Sequence, residues 1–316
     1  MRQRTYACAI VLAAVLLCAA AAVHIVRAEA FMAEAGRAAE RIVAQRLGTD
    51  VHIGAVEIRS LHELTIDDIV IYDKQTEEVL RADRARVTLR LLSLLLSPET
   101  SVDEVLLTGA HVHLVRREDG SWNYADLVAD DAEPSTFVGR IRIADSAADV
   151  DADGHSYVLT DLSGAADIDR GAFSYDASAE FMGIPLRARG EKTSDVQDVQ
   201  FAADDADLTP LLSLLPETVL PERVKISTLH ADRVRTRLRL VDGVRTMEGR
   251  IDGVRADADL YGTQTTLTSA ALRFDERTVF VAATATAAEQ TARVDGTVQM
   301  DTGAPYLDLR VRANDF

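Results

Sequence analysis

The sequence predicts a mainly β protein: an N-terminal transmembrane helix and an amphipathic stalk, then an elongated, curved antiparallel β-sheet shaped as an open gutter. Three observations carry this. An unbroken apolar run, Ala7 to Val26, follows the basic leader Met1-Arg2-Gln3-Arg4. Beyond Gly48 the apolar spacing changes from the 3.6 of a helix to the 2 of a strand, and strand-like runs continue to Ala313. Pairs ending in glycine separate many of those runs: Asp119-Gly120, Asp153-Gly154, Arg170-Gly171, Asp242-Gly243, Tyr261-Gly262 and Thr302-Gly303.

Residues 1–27 form the anchor, with Ala7, Ile10, Leu16, Leu17, Val23 and Val26 among the side chains facing lipid. The 20 residues from Ala7 to Val26, at ~1.5 Å rise each, span the ~30 Å core of a bilayer. The positive-inside rule keeps the basic N-terminus cytoplasmic and exports everything after Arg27. Two other readings compete. Ala28-Glu29-Ala30 has the form of a signal-peptide cleavage site, although the run exceeds the about 7–15 residues usual for such peptides. A lipoprotein signal at Cys18 is weaker, because Leu16-Leu17 and not a small residue precedes it.

In residues 28–48, Phe31, Ala35, Ala38, Ile42 and Val43 keep helical spacing against Glu34, Arg37, Glu40 and Arg41, and Gly48 stands where a helix-ending glycine belongs. This stalk lifts the following domain off the membrane and caps its open edge. Residues 49–130 form a first β domain, Asp130 to Ser135 a linker, and residues 137–316 a continuing series of β repeats. Among the strand candidates are Val105–Val115, Val138–Ile143, Tyr157–Leu162 and Val196–Ala203. Val224–His230 and Val234–Val241 read as separate strands, as do Met247–Ile251 and Ala256–Leu260. The short runs Leu91 to Glu99 (LLSLLLSPE) and Leu211 to Glu217 (LLSLLPE) echo one another as segments that cap a sheet before it resumes, or by chance in a leucine-rich chain.

Many strands set an aliphatic face against a polar one. In one, Val105, Leu107, Val112 and Leu114 share a face. In another, Val234, Leu238 and Leu240 oppose Arg235, Arg237 and Arg239. With no long helices to cover it, a sheet with one greasy face folds that face inward, which predicts a groove lined by these seven aliphatic side chains.

The stretch from Val102 to Leu127 is the most legible. A strand ending in Arg116-Arg117 leads to the Asp119-Gly120 turn, then to Trp122, the only tryptophan, and to Asn123, Asp126 and Leu127. A hairpin with an aromatic lock is expected. This order resembles the G-x-W-N-x-x-D-L hairpin of AsmA-like and TamB-like envelope proteins. The resemblance extends back through Gly54-Ala55-Val56, Leu64 to Ile69 and Leu80 to Val87. It implies a chain anchored by a single pass in the inner (cytoplasmic) membrane, a periplasmic β-gutter, and a part in outer-membrane biogenesis.

Composition narrows the classes. A formal charge of −17 argues against nucleic-acid binding, which needs a clustered basic face. Both cysteines, Cys8 and Cys18, lie in the apolar run, so the remainder has no thiol to pair. His62-Glu63-Leu64-Thr65-Ile66 lacks the second histidine of a zinc helix, and no nucleophile elbow or phosphate loop occurs, so neither catalysis nor a cofactor is expected. His111 and His113 share a strand face without a third ligand. Asp149 to Gly154 matches the first half of a calcium loop, but Thr160 occupies the place of its bidentate glutamate. An acidic hairpin turn is the expectation there.

The function expected is carriage of phospholipid acyl chains along the aliphatic groove, with the inner membrane and an outer-membrane assembly protein as partners. The alternative is a scaffold that helps outer-membrane protein insertion by binding a partner's strand, without lipid transport. An undetected hydrolase ranks last. The sequence stops in or just after a strand, and the expectation is a fragment of a longer protein.

Overall fold

A computed structural model describes residues 37, 40, 41, 43–45, 47–60, 62–90, 102–127, 138–193, 196–214, 223–287, 289–299 and 306–313. The apolar run and its six anchor side chains lie outside these residues, as do Leu91 to Glu99 and the linker. Among the described residues no helix is long and apolar enough to cross a membrane.

Fifteen strands follow one another in chain order in one open sheet. They are β1 (Val51–Ser60), β2 (Glu63–Tyr72), β3 (Glu78–Leu89), β4 (Val102–Val115), β5 (Val138–Ala152), β6 (His155–Asp169), β7 (Ala172–Phe181), β8 (Ile184–Lys192), β9 (Val196–Asp207), β10 (Val224–Val241), β11 (Val244–Leu260), β12 (Thr263–Phe274), β13 (Thr278–Ala287), β14 (Gln290–Gln299) and β15 (Tyr306–Ala313). Two-residue loops join several neighbours. Both loop residues have positive φ at Asp153-Gly154, Arg170-Gly171, Asp242-Gly243 and Tyr261-Gly262, and also at Met182-Gly183, the geometry that matches strand twist. The chain divides into two compact units. One holds the described residues through Tyr157 with Asp167–Gly171, the other Val158–Ala166 and the described residues from Ala172 on.

In the first unit, residues 37–47 are helical wherever they are described. Gly48 closes the turn with φ +70° and donates its N–H to the Ala44 carbonyl at 2.8 Å, the left-handed helix end its position predicts. Glu40 accepts the Ile53 N–H at 2.8 Å and lies 3.3 Å from His52. The helix thus occupies one donor on the outer edge of β1, a recognised way of blunting a free strand edge.

Strands β1 to β4 pair antiparallel, but β4 and β5 pair parallel. This departs from the expected antiparallel meander, and β4 itself ends in a corner rather than a hairpin. Arg117 donates its N–H to Ser121 O at 2.8 Å around the Gly120 turn, and one bridge joins Arg116 to Trp122. The chain then enters a short 3-10 turn, Asn123–Leu127, rather than a returning strand, so the expected hairpin is a tight corner. Trp122 and Tyr124 stack there with ring centres 6.1 Å apart.

The apolar spacing in each strand slips by one residue at a common level. Ile66 and Ile69 share a face although three positions separate them, and so do Val56 and Ile53, Ala85 and Ala82, and Leu107 and Ala110. Register shows it, for Ile53, Ile69, Ala82 and Ala110 are cross-strand partners, as are Val56, Ile66, Ala85, Leu107 and Ile143. At the slip the backbone turns left-handed in β2, β4 and β5, at Asp68, Gly109 and Asp145. Aspartate and glycine enter that region at least expense. The interrupted ladder is repaired by Ser146, whose hydroxyl accepts the Ala110 N–H at 3.0 Å and donates to Ala144 O at 2.8 Å.

The second unit repeats the device at Asp205 of β9 and Gly253 of β11, with Asp232 of β10 between them in register. Here Ala206 and Ala203 share a face, as do Ala231 and Val234. The 3-10 turn Thr209–Leu214 follows β9. Leu208 and Leu211 pack over Ile184, Ala203 and Ala206, and Leu208 also packs against Ala231, Val254 and Ala270. The capping segment expected at Leu211 therefore covers the sheet as far as it is described.

Candidate functional site

In the first unit, Val105, Leu107, Val112 and Leu114 of β4 occupy the same face. Val105 continues the row Ile58, Leu64, Val87 and Ile141. Val112 pairs Leu80 and Ala148, and Leu114 pairs Val150. Leu107 packs with Ile66, Ile71 and Leu80 on the buried Ile69, Ala82, Ala85 and Ala110. All four predicted side chains are half-buried.

In the second unit Val234, Leu238 and Leu240 again share a face, but their settings differ. Val234 belongs to the row Ala203, Val234, Ile251, Leu272, Val281, Gly296 and Leu309, and packs in both hydrophobic clusters under the 3-10 turn. Leu238 is half-buried between Val199 and Met247. Toward the Asp242-Gly243 turn the face is uncovered, with Leu240 39% and Met247 39% exposed, and Phe201 at 44%. Leu307, Leu309 and Val311 of β15 extend the same face and are also exposed. The seven predicted residues thus form two groups, one in each unit, and Val234 is more core than lining.

Compared with family models, curated proteins and solved structures, the chain matches none. The functional reading therefore rests on the residues themselves.

Two features that looked separate in the sequence prove to be partners. His111 and His113 lie 3.0 and 2.9 Å from the carboxylates of Asp149 and Asp151, and Arg116 lies 2.8 Å from that of Asp153. The half calcium loop is the end of β5 and its turn, and its carboxylates form a three-rung ladder of side-chain contacts along the parallel β4–β5 seam. Hydrogen bonds from Ser156, and then from His113, hold the Asp151 carboxyl below its usual range. The histidine pair could be seen in sequence, but its partners required the parallel pairing.

The resemblance motif folds into a lock. Asn123, fully buried, accepts the Val115 N–H at 3.0 Å and donates to His113 O at 2.8 Å. Arg117 donates to Asp73 at 2.8 Å and to Asp126 at 2.5 Å. The Asp126 carboxyl is lowered chiefly by Arg117. Asp73 is 1% exposed and also accepts the Gln75 and Glu77 N–H groups at 2.8 Å. A buried carboxylate joins the β2–β3 turn to the corner after β4, so the conspicuous asparagine and aspartate of the motif serve folding.

The polar face of the second unit holds what the sequence did not suggest. A cavity of about 960 Å³ is lined by Arg187, Arg189, Arg235, Arg237, Arg250 and Arg273, with Asp204, Glu248, Asp275 and Phe280 around them. The predicted groove residues do not line it. Arg187 and Arg189 both reach Asp176, whose carboxyl Arg187 and then Arg189 hold down at about 2. Arg237 makes a short charge-assisted contact with the buried Asp198. Alternate arginines in β10 were legible; their convergence with Arg250 and Arg273 depends on register.

Proposed function

We propose that this is a non-catalytic, membrane-anchored protein of the bacterial envelope type that carries phospholipid acyl chains along its apolar sheet faces. The observation that carries the reading is the half-exposed aliphatic face itself. It runs from strand to strand within each unit, and near Phe201, Leu240 and Met247 nothing among the described residues covers it. Each methylene kept from water is worth ~0.8 kcal/mol, so curvature of the sheet around that face would turn a solvation liability into a hydrocarbon path. The headgroup would stay wet at the open seam. The apolar run from Ala7 to Val26 supports an inner-membrane anchor, with the sheet in the periplasm and lipid delivered toward the outer membrane. The AsmA-like and TamB-like resemblance supports the same reading.

A second reading has its own observation. Leu307, Leu309 and Val311 of β15 are exposed on the aliphatic face, an apolar surface that suits reception of a partner's strand. A scaffold for outer-membrane protein assembly would use that face. Lipid extraction of the full chain after mild detergent purification separates the two. Near-stoichiometric phospholipid, lowered by Leu238→Glu in protein that still accumulates, supports carriage. A stoichiometric protein partner with no bound lipid supports the scaffold and refutes carriage.

A further inference from the structure

The polar face of the second unit places three arginines side by side on adjacent strands. Arg235 of β10 is the direct partner of Arg250 of β11, and Arg250 is the direct partner of Arg273 of β12. Directly opposed side chains stand ~5 Å apart at Cβ, and like charges so placed destabilise a sheet. Local acids relieve the row unevenly. Arg235 is held by both oxygens of Asp204, at 2.8 and 3.0 Å, and by the carbonyls of Ala203 and Val234. Among the described residues Arg250 reaches only Asp252, two residues along its own strand, at 2.6 Å, and stays 60% exposed. Arg273 has no hydrogen-bond or ion-pair partner among the described residues, though Arg277 and Asp275 follow it in the chain. The next side chain in the row, directly opposite Arg273, is Phe280, 49% exposed. All four line the same cavity.

We infer that this cavity is a binding site for a phosphate-bearing ligand, with Arg250 and Arg273 as the groups that hold the phosphate and Phe280 as an apolar contact beside them. Guanidinium groups present paired N–H donors that match phosphate oxygens, and charge-assisted bonds of this kind are about twice as strong as neutral ones. An anion between Arg250 and Arg273 satisfies the arginine that has no partner and removes the repulsion across β11 and β12. The volume, about 960 Å³, exceeds what an inorganic phosphate fills and falls among pockets for ligands of metabolite size. Such a phosphate has two sources, a soluble phosphorylated compound or a phospholipid headgroup. Arg235, Arg250 and Arg273 lie on the face opposite the aliphatic one, although Phe201 and Phe274, which alternate with them, also contribute to the cavity wall.

The test is titration of the full chain, in nonionic detergent and phosphate-free buffer, with inorganic pyrophosphate and separately with dihexanoyl phosphatidylglycerol and dihexanoyl phosphatidylcholine. Saturable binding of pyrophosphate or of the phosphatidylglycerol is expected. It should weaken at least tenfold in Arg273→Gln and Arg250→Gln, weaken less in Arg273→Lys, and persist in Arg310→Gln on β15, outside the cavity. Tighter binding of phosphatidylglycerol than of either other probe assigns the phosphate to a lipid headgroup, and tighter binding of pyrophosphate assigns it to a soluble compound. Arg273→Gln removes one of three crowded like charges, so its thermal midpoint without ligand should not fall, which separates lost binding from lost folding. No saturable binding of any probe, or equal loss in Arg310→Gln, overturns the site.

Discussion

At the scale of single residues the fold depends on a few buried polar side chains with complete sets of partners. Removing Asn123 leaves the Val115 N–H and the His113 carbonyl without their partner, so Asn123→Ala should lower unfolding stability by roughly 3 kcal/mol, since each orphaned buried group costs about 1–3. Arg117→Ala strands the buried Asp73 and should cost a similar amount. Chemical denaturation checks both, and a loss under about 1 kcal/mol in either would mean that the corner does not lock the first unit. Acid stability follows from the aspartates. The folded Asp176 carboxyl titrates at about 2 rather than 3.8, so between those values the unfolded chain binds more protons and stability rises with pH. Its contribution is present above about pH 4 and is lost as pH falls toward 2. Asp119, Asp126, Asp151, Asp167, Asp198, Asp207 and Asp275 are lowered in the same direction. Asp176 is nearly half exposed, and screening keeps its share small. Asp176→Asn should nevertheless reduce the slope of stability against pH in that window, and an unchanged slope would contradict the pairing with Arg187.

At the scale of elements the left-handed positions explain both what the sequence revealed and where it misled. Strict alternation predicts separate strands at Val224–His230 and Val234–Val241, whereas β10 runs through both. The period slips by one residue beside Asp232 and then resumes. β11 is likewise continuous through the left-handed Gly253. For the same reason Val138–Ile143 and Val196–Ala203 fall short of β5 and β9, which continue past Asp145 and Asp205. The signal was present in Val105, Leu107, Ala110, Val112 and Leu114, where the spacing of two is broken once by three. The parallel β4–β5 pair had no such signal, because alternation within a strand reports its faces and not the direction of its neighbour. Gly109 has φ +62°, and a Cβ on it would lie 2.2 Å from the Asp83 carboxylate. Gly109→Ala should therefore destabilise by about 2 kcal/mol. Gly171→Ala, at a hairpin tip with φ +89° and open space around the added carbon, should cost less. Equal losses would show that backbone conformation alone sets the requirement for glycine, without the cross-strand aspartate.

At the scale of the molecule the central claim is that aliphatic faces of an open sheet, and no catalytic cluster, carry the function. The aliphatic stripes were legible because alternation reports which side chains share a face. How covered each stripe is was not. Val234 and Leu238 read alike in the sequence, yet only Val234 packs in both hydrophobic clusters, because Leu208 and Leu211 return over its end of the sheet. The polar-face cavity was equally hidden, since Arg235, Arg250 and Arg273 meet only through the register of three strands. The most direct measurement compares photo-crosslinking side chains placed in cells at Leu107 and Leu238, on the aliphatic faces, with one at Leu106. Leu106 is also apolar but is partnered with Arg86 and Arg142 on the polar face. Capture of phospholipid at Leu107 and Leu238 with little at Leu106 is the predicted result. Equal capture at all three positions, or none at Leu238 in protein that accumulates normally, would contradict it.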